Sequence, residues 1–101
     1  MSALPIACTL TPDALRARRE GLLAELLRRA DAREELPDGF RLRFAASSDT
    51  LTTITRVVLV ERECCRFLRF TIVVEPDGGP MRLDLTGPAG TREFLESLVV
   101  A

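Results

Sequence analysis

Histidine, tryptophan and tyrosine are absent from this 101-residue chain. Without histidine there is no Ser-His-Asp or Cys-His catalytic arrangement, and no histidine-ligated zinc or iron site. Any metal ion would therefore have to be held by sulfur and oxygen ligands. Phenylalanine is the one aromatic residue type, with five copies, so we expect a core built mainly from Leu, Val and Ala.

A strong net charge and long apolar runs are lacking as well. The formal net charge is −1, which gives no overall field to attract nucleic acid or anionic lipid. No stretch reaches the ~18 consecutive apolar residues that a membrane span needs, and residues 1–10 show no secretory signal pattern. We therefore expect a cytoplasmic protein, folded as a single domain over residues 1–101, that binds neither nucleic acid nor membrane.

Cysteine is scarce, and its three copies are unevenly placed. Cys8 stands near the start of the chain, whereas Cys64 and Cys65 are adjacent. An odd number of cysteines, two of them neighbours whose mutual disulfide ring would be strained, argues against a disulfide framework. A reducing cytosol also keeps thiols reduced. The expectation is thiols that are either free or bound to metal.

Apolar spacing and turn residues predict four strands and three helices in the order β-α-β-α-β-β-α. The predicted elements are a strand at 6–10, a helix from Thr11 to about Ala32, a strand at 40–44, a helix at 51–66, strands at 70–74 and 81–85, and a last helix after the loop 87–90. This order predicts an α/β (α+β) fold, a two-layer sandwich with helices packed on one mixed four-stranded sheet.

The segment 51–66 gives two conflicting signals. Its Thr and Val content favours a strand. Its length favours a helix, and so does its spacing, because one helical face collects most of the apolar residues and both later cysteines. The residues on that face are Leu51, Ile54, Val57, Val58, Glu61, Cys64 and Cys65. We predict a helix.

The adjacent cysteines can share one ion only under a geometric condition. Neighbouring side chains on a regular helix point ~100° apart, so the helix must end or fray at Cys64 and Cys65. The segment 66–68 is typical of such an end. If the first strand lies beneath this helix, Cys8 joins the pair. The three thiolates would then suit a soft ion such as Hg(II), As(III), Cu(I), Cd(II), or Zn(II) with a fourth ligand.

Glu61 interrupts the apolar stripe of this predicted helix. It lies three positions before Cys64 and four before Cys65, on the same side. A carboxylate there could be a fourth ligand, or a proton donor with a raised pKa. An ordinary ion pair with an arginine is the competing interpretation.

Two segments resemble a family of small bacterial proteins. They are Ala7-Cys8-Thr9-Leu10 and residues 62–70, which contain the cysteine pair. The family pattern resembles A-C-x-L near the start and E-x-C-C-x-F-x-F in the middle, and similar segments are appended to MerR-type heavy-metal regulators. The resemblance implies a link to metal or metalloid stress, with Cys8, Cys64 and Cys65 as the functional residues. Arg66 departs from the pattern, where proline or alanine is expected.

Three hypotheses follow from these observations. The first is a binding protein for a soft thiophilic ion, with Cys8, Cys64 and Cys65 as ligands, acting in metal resistance, carriage or sensing. The second is an enzyme that cleaves a carbon–metal bond, in the manner of organomercurial lyase, with two thiolates and Glu61. The third is a structural or interaction domain with inert thiols, for example a homodimer formed through a sheet edge or an apolar helix face.

Overall fold

A computed structural model of the chain describes residues 21–99, except for the side chains of Leu22, Cys64, Leu98 and Val99. Its elements are α1 (Leu22–Arg29), β1 (Ala32–Leu36), β2 (Gly39–Phe44), α2 (Ser48–Cys64), β3 (Arg69–Val74), β4 (Met81–Thr86) and α3 (Thr91–Val99). The predicted strand at 6–10 and the predicted helix start at Thr11 lie outside the described residues.

The four strands form one sheet in the order β1-β2-β4-β3, and helices pack on one face of it. The predicted two-layer α+β architecture is therefore confirmed. In the described part, however, every pair of neighbouring strands is antiparallel, whereas a mixed sheet was expected. The strands β2 and β3 do run parallel to each other, as a helical crossover requires. Because β4 inserts between them, they are not neighbours.

The first described hairpin corrects the prediction that the first helix continues to Ala32. Helix α1 ends at Arg29, and Ala32 begins β1, where it pairs with Arg43 of β2. Strand β1 has the sequence Ala-Arg-Glu-Glu-Leu, and four of its five residues are exposed. It therefore lacks the apolar alternation by which a strand can be recognised in a sequence.

The core lies between the sheet and the helices. The predicted inward residues of β2 (Phe40, Leu42, Phe44) and of β4 (Met81, Leu83, Leu85) are all buried, which confirms those predictions. The helices cover them with Leu23, Leu26, Leu27, Ile54, Val57 and Leu95. Burying each such side chain stabilises the fold by about 1.5–3 kcal/mol.

Helix α2 forms despite its many threonine and valine residues. The Ser47 hydroxyl accepts a hydrogen bond from the Thr50 N–H at 3.2 Å, which caps the first turn. The Thr53 and Thr55 hydroxyls donate to carbonyls one turn earlier. Burial of the apolar face outweighs the strand propensity. No helix within residues 21–99 is long and apolar enough to cross a membrane.

Candidate thiolate site

Glu61 and the cysteine pair lie at the C-terminal end of α2. Cys64 is the last helical residue, and Cys65 leaves the helix with φ −111° and ψ 74°. The Cys65 N–H donates to the Glu61 carbonyl at 2.6 Å, and the Leu68 N–H donates to the Cys65 carbonyl at 3.1 Å. The prediction that the helix ends at the pair is confirmed.

Two of the candidate side chains are buried here. Glu61 and Cys65 each expose only 2% of their surface. Cys65 belongs to the apolar core cluster, and so do Phe67 and Leu68, which follow it by two and three positions. A carboxyl group is costly to bury unless its charge is compensated or removed. Glu61, which interrupts the apolar stripe, thus lies in the core and not on the solvated face of the helix.

The turn after the cysteine pair is fixed against α3. The Phe67 ring packs edge-to-face on Phe94, with ring centroids 5.2 Å apart and an interplanar angle of 84°. A Cβ at Gly87 would lie 3.0 Å from the Phe67 carbonyl oxygen, so the backbones approach closely at this point. The exit from α2 therefore packs against α3 and against the loop that precedes it.

The end of α1 lies close to the start of α2. The Asp31 N–H donates to the Arg43 carbonyl at 2.8 Å, so α1 ends beside the C-terminal end of β2. Helix α2 begins there as well, because its cap Ser47 follows Phe44 closely. The two helices are neighbours, with Leu26 and Thr53 lining a shared cleft. Glu25 and Arg29 of α1 lie near Thr53 and Arg56 of α2 as well.

Cys8 lies outside the described residues, and so does the side chain of Cys64. Among the side chains that the structure describes, no group of three His, Cys, Asp or Glu residues could hold a metal ion. Cys65 is the one predicted ligand among these described side chains. Gly21 follows Cys8 by thirteen positions, which span up to about 45 Å when extended. That reach exceeds the length of α2, about 25 Å at 1.5 Å per residue.

The face of the sheet that points away from the helices carries a polar cluster, which was not predicted from the sequence. Arg41 donates from Nε to Oδ1 of Asp84 at 3.0 Å and from a terminal nitrogen to Oδ2 at 3.2 Å. This hydrogen bond, with the charge of Asp84, raises the pKa of Arg41. Arg82 Nε lies 3.7 Å from the same carboxylate. Alternation places these residues outward, but only the register that pairs Arg41 with Asp84 reveals the cluster.

No protein-family model matches the sequence, and neither a curated protein nor a solved structure shows significant similarity to it. The sheet and the end of α2 define a two-layer α+β domain with a buried cysteine and a buried carboxyl group where its longest described helix ends.

Proposed function

We propose that this protein binds a soft thiophilic metal or metalloid ion of the Hg, As, Cu or Zn class through Cys8, Cys64 and Cys65. It would act in the cytoplasm, in metal resistance, carriage or sensing. The observation that carries the proposal is the end of α2 at the cysteine pair, with Cys65 buried there. A helix end frees two adjacent thiolates from the divergent directions of a regular helix.

The three thiolate ligands determine which class of ion this site prefers. Thiolates without imidazole favour soft ions over Mg²⁺ and Ca²⁺. With metal–sulfur bonds of about 2.3 Å, three ligating sulfurs lie near 4 Å from one another. The thirteen positions from Cys8 to Gly21 span more than the length of α2, so the chain is long enough for Cys8 to reach the pair.

Native mass spectrometry of the reduced full-length protein tests the proposal. The protein is mixed in turn with Hg(II), As(III), Cu(I) and Zn(II), with a small dithiol present as competitor. We expect one ion per chain for at least one of these elements, weaker retention in Cys8→Ser, Cys64→Ser and Cys65→Ser, and none in the triple variant. Three thiolates hold an ion that two or one release more readily.

Met81→Leu is the matched control, because it removes a buried sulfur that is not a thiolate. This variant should retain the ion as the wild type does. If the triple variant retains every ion as tightly as the wild type, the binding proposal fails. The thiols are then inert core residues, and the structural hypothesis replaces it.

The burial of Glu61 favours a second candidate function, cleavage of an organomercurial bond. In that reaction two thiolates take the metal, the carbon–mercury bond breaks, and its electron pair accepts the proton of the Glu61 carboxyl group. The products are a hydrocarbon and a mercury ion held by two sulfurs, with Glu61 left as carboxylate. The supporting observation is a carboxyl residue that is 2% exposed, one helical turn before Cys65.

A further inference from the structure

The two edges of the sheet differ in chemistry. Strand β1 carries three charged and exposed residues on one edge: Arg33, Glu34 and Glu35. Strand β3 forms the other edge of the described sheet, and its five residues from Phe70 to Val74 carry no charge. Proteins usually protect an edge strand with charges, proline or a bulge, because its unpaired N–H and C=O groups attract another strand. The β1 edge has this protection, whereas the centre of β3 lacks it.

The inner face of β3 also leaves apolar side chains exposed. Ile72 pairs with Leu83, and Val74 pairs with Met81, so all four face the same side of the sheet. Leu83 and Met81 are buried, yet Ile72 is 38% exposed and Val74 is 55% exposed. In the described part of the chain, the helical layer thus stops short of β3. The edge presents backbone groups and apolar side chains together.

We propose that β3 pairs with β3 of a second copy of this chain, antiparallel and about a twofold axis at Ile72. Ile72 then lies opposite its own counterpart, Phe70 lies opposite Val74, and Arg69 lies opposite Glu75. Both ends of the paired region gain an ion pair, since the twofold axis repeats each contact. The two four-stranded sheets become one continuous sheet across the dimer.

The charges select this register over its neighbours. A shift by one residue in one direction places Pro76 opposite Arg69, and proline cannot donate to the ladder. A shift by one residue in the other direction places Arg69 opposite Val74 and loses both ion pairs. Shifting by two residues places Phe70 opposite Pro76 or Arg69 opposite Val73. The register centred on Ile72 is the one in which an apolar strand is bounded by opposite charges, which is why a second copy is the favoured occupant.

Analytical ultracentrifugation of the full-length protein, from micromolar to near-millimolar concentration, tests this interface. We expect a wild-type dimer and a monomeric Val74→Lys variant. The Val74 side chain is half exposed, so the substitution leaves the core intact. Ala32→Lys adds the same charge to the exposed β1 edge and should remain dimeric. Circular dichroism confirms that both variants are folded.

A charge exchange tests the register. Arg69→Glu and Glu75→Arg should each raise the dimer dissociation constant about tenfold or more, because each opposes like charges at two symmetric places. The double variant restores the pairs and should return the constant toward that of the wild type. A double variant no better than the single ones would overturn the register, and a dimeric Val74→Lys variant would overturn the interface.

A wild type that is monomeric throughout the concentration range overturns the dimer. Hydrogen exchange then tests the alternative occupant: protection of the outward amides of β3 in the monomer would show that another part of the same chain covers the edge. The ion-binding measurements are independent of this result. Failure of one proposal leaves the other standing.

Discussion

Glu61 and Cys65 show what helical spacing can predict at the scale of single residues. The positions of Glu61 and Cys64 on one helix, and the end of that helix at the cysteine pair, follow from periodicity and from the residues after it. Their depth does not follow, because the 2% exposure of Glu61 depends on what packs against α2. The approach of Cys8 depends on contacts distant in sequence, which no local pattern encodes.

Replacing Glu61 by glutamine separates the two candidate functions. The amide has the size of the carboxyl group but no acidic proton, so ion retention by the thiolates should survive while cleavage of phenylmercury falls by about a hundredfold or more. Release of benzene, followed by gas chromatography, measures cleavage, and native mass spectrometry measures retention. Glu63→Gln, on the exposed side of the same helix, is the control and should cleave at the wild-type rate.

Cleavage by Glu61→Gln at the wild-type rate would rule out Glu61 as the proton donor. Absence of cleavage in the wild type itself would remove the enzymatic candidate and leave ion binding in place.

At the scale of elements, strands that alternate were predictable and the strand that does not alternate was not. Strands β2 and β4 carry buried residues at every second position, and their inward sets were predicted correctly. Strand β1 carries none at its first four positions, and it was assigned in part to the preceding helix. Its identity as a strand comes from the hairpin with β2, a tertiary contact that overrides local preference.

The close pairing of β2 with β4 can be tested at Gly39. A Cβ at Gly39 would overlap the Leu85 carbonyl oxygen, a backbone atom that cannot move without disturbing the ladder. We expect Gly39→Ala to lower the free energy of unfolding by about 1–3 kcal/mol, measured by urea denaturation. Gly78→Ala is the comparison: its φ of 68° is strained for alanine, but no atom lies near the added methyl. It should cost about 1 kcal/mol.

The comparison of Gly39→Ala with the wild type is the decisive result. If Gly39→Ala unfolds at the same urea concentration as the wild type, the close approach of β2 to the Leu85 carbonyl is not present in solution.

For the whole molecule, the α+β class was predictable and the strand order was not. Helix α2 connects β2 to β3, and the expected mixed sheet required at least one pair of neighbouring parallel strands. The sheet instead places β4 between them, because β4 forms hairpin pairs with β3 and a second antiparallel ladder with β2. A sequence does not show which edge of β3 a returning strand will choose. That choice leaves the other edge of β3 at the margin of the described sheet.

Ion binding should be visible in the stability of the whole molecule. A ligand that binds the folded state alone stabilises it by about 2.7 kcal/mol when its concentration is 100 times Kd. For a domain of this size, each kcal/mol raises Tm by roughly 4–8 °C, so the preferred ion should raise Tm by about 11–22 °C. Unfolded cysteines also bind thiophilic ions and reduce this shift. Thermal unfolding of the reduced protein, followed by circular dichroism with and without the ion, measures it.

The Cys8→Ala variant is the informative comparison in this experiment. If Cys8 joins the pair at the end of α2, the ion ties residues before α1 to the end of α2, and its loss should reduce the rise in Tm by at least half. Mg²⁺ should produce no rise in either protein, because a hard ion does not favour thiolates. An equal rise in wild type and Cys8→Ala would show that the ion is held without Cys8, and the three-sulfur site would then reduce to the pair on α2.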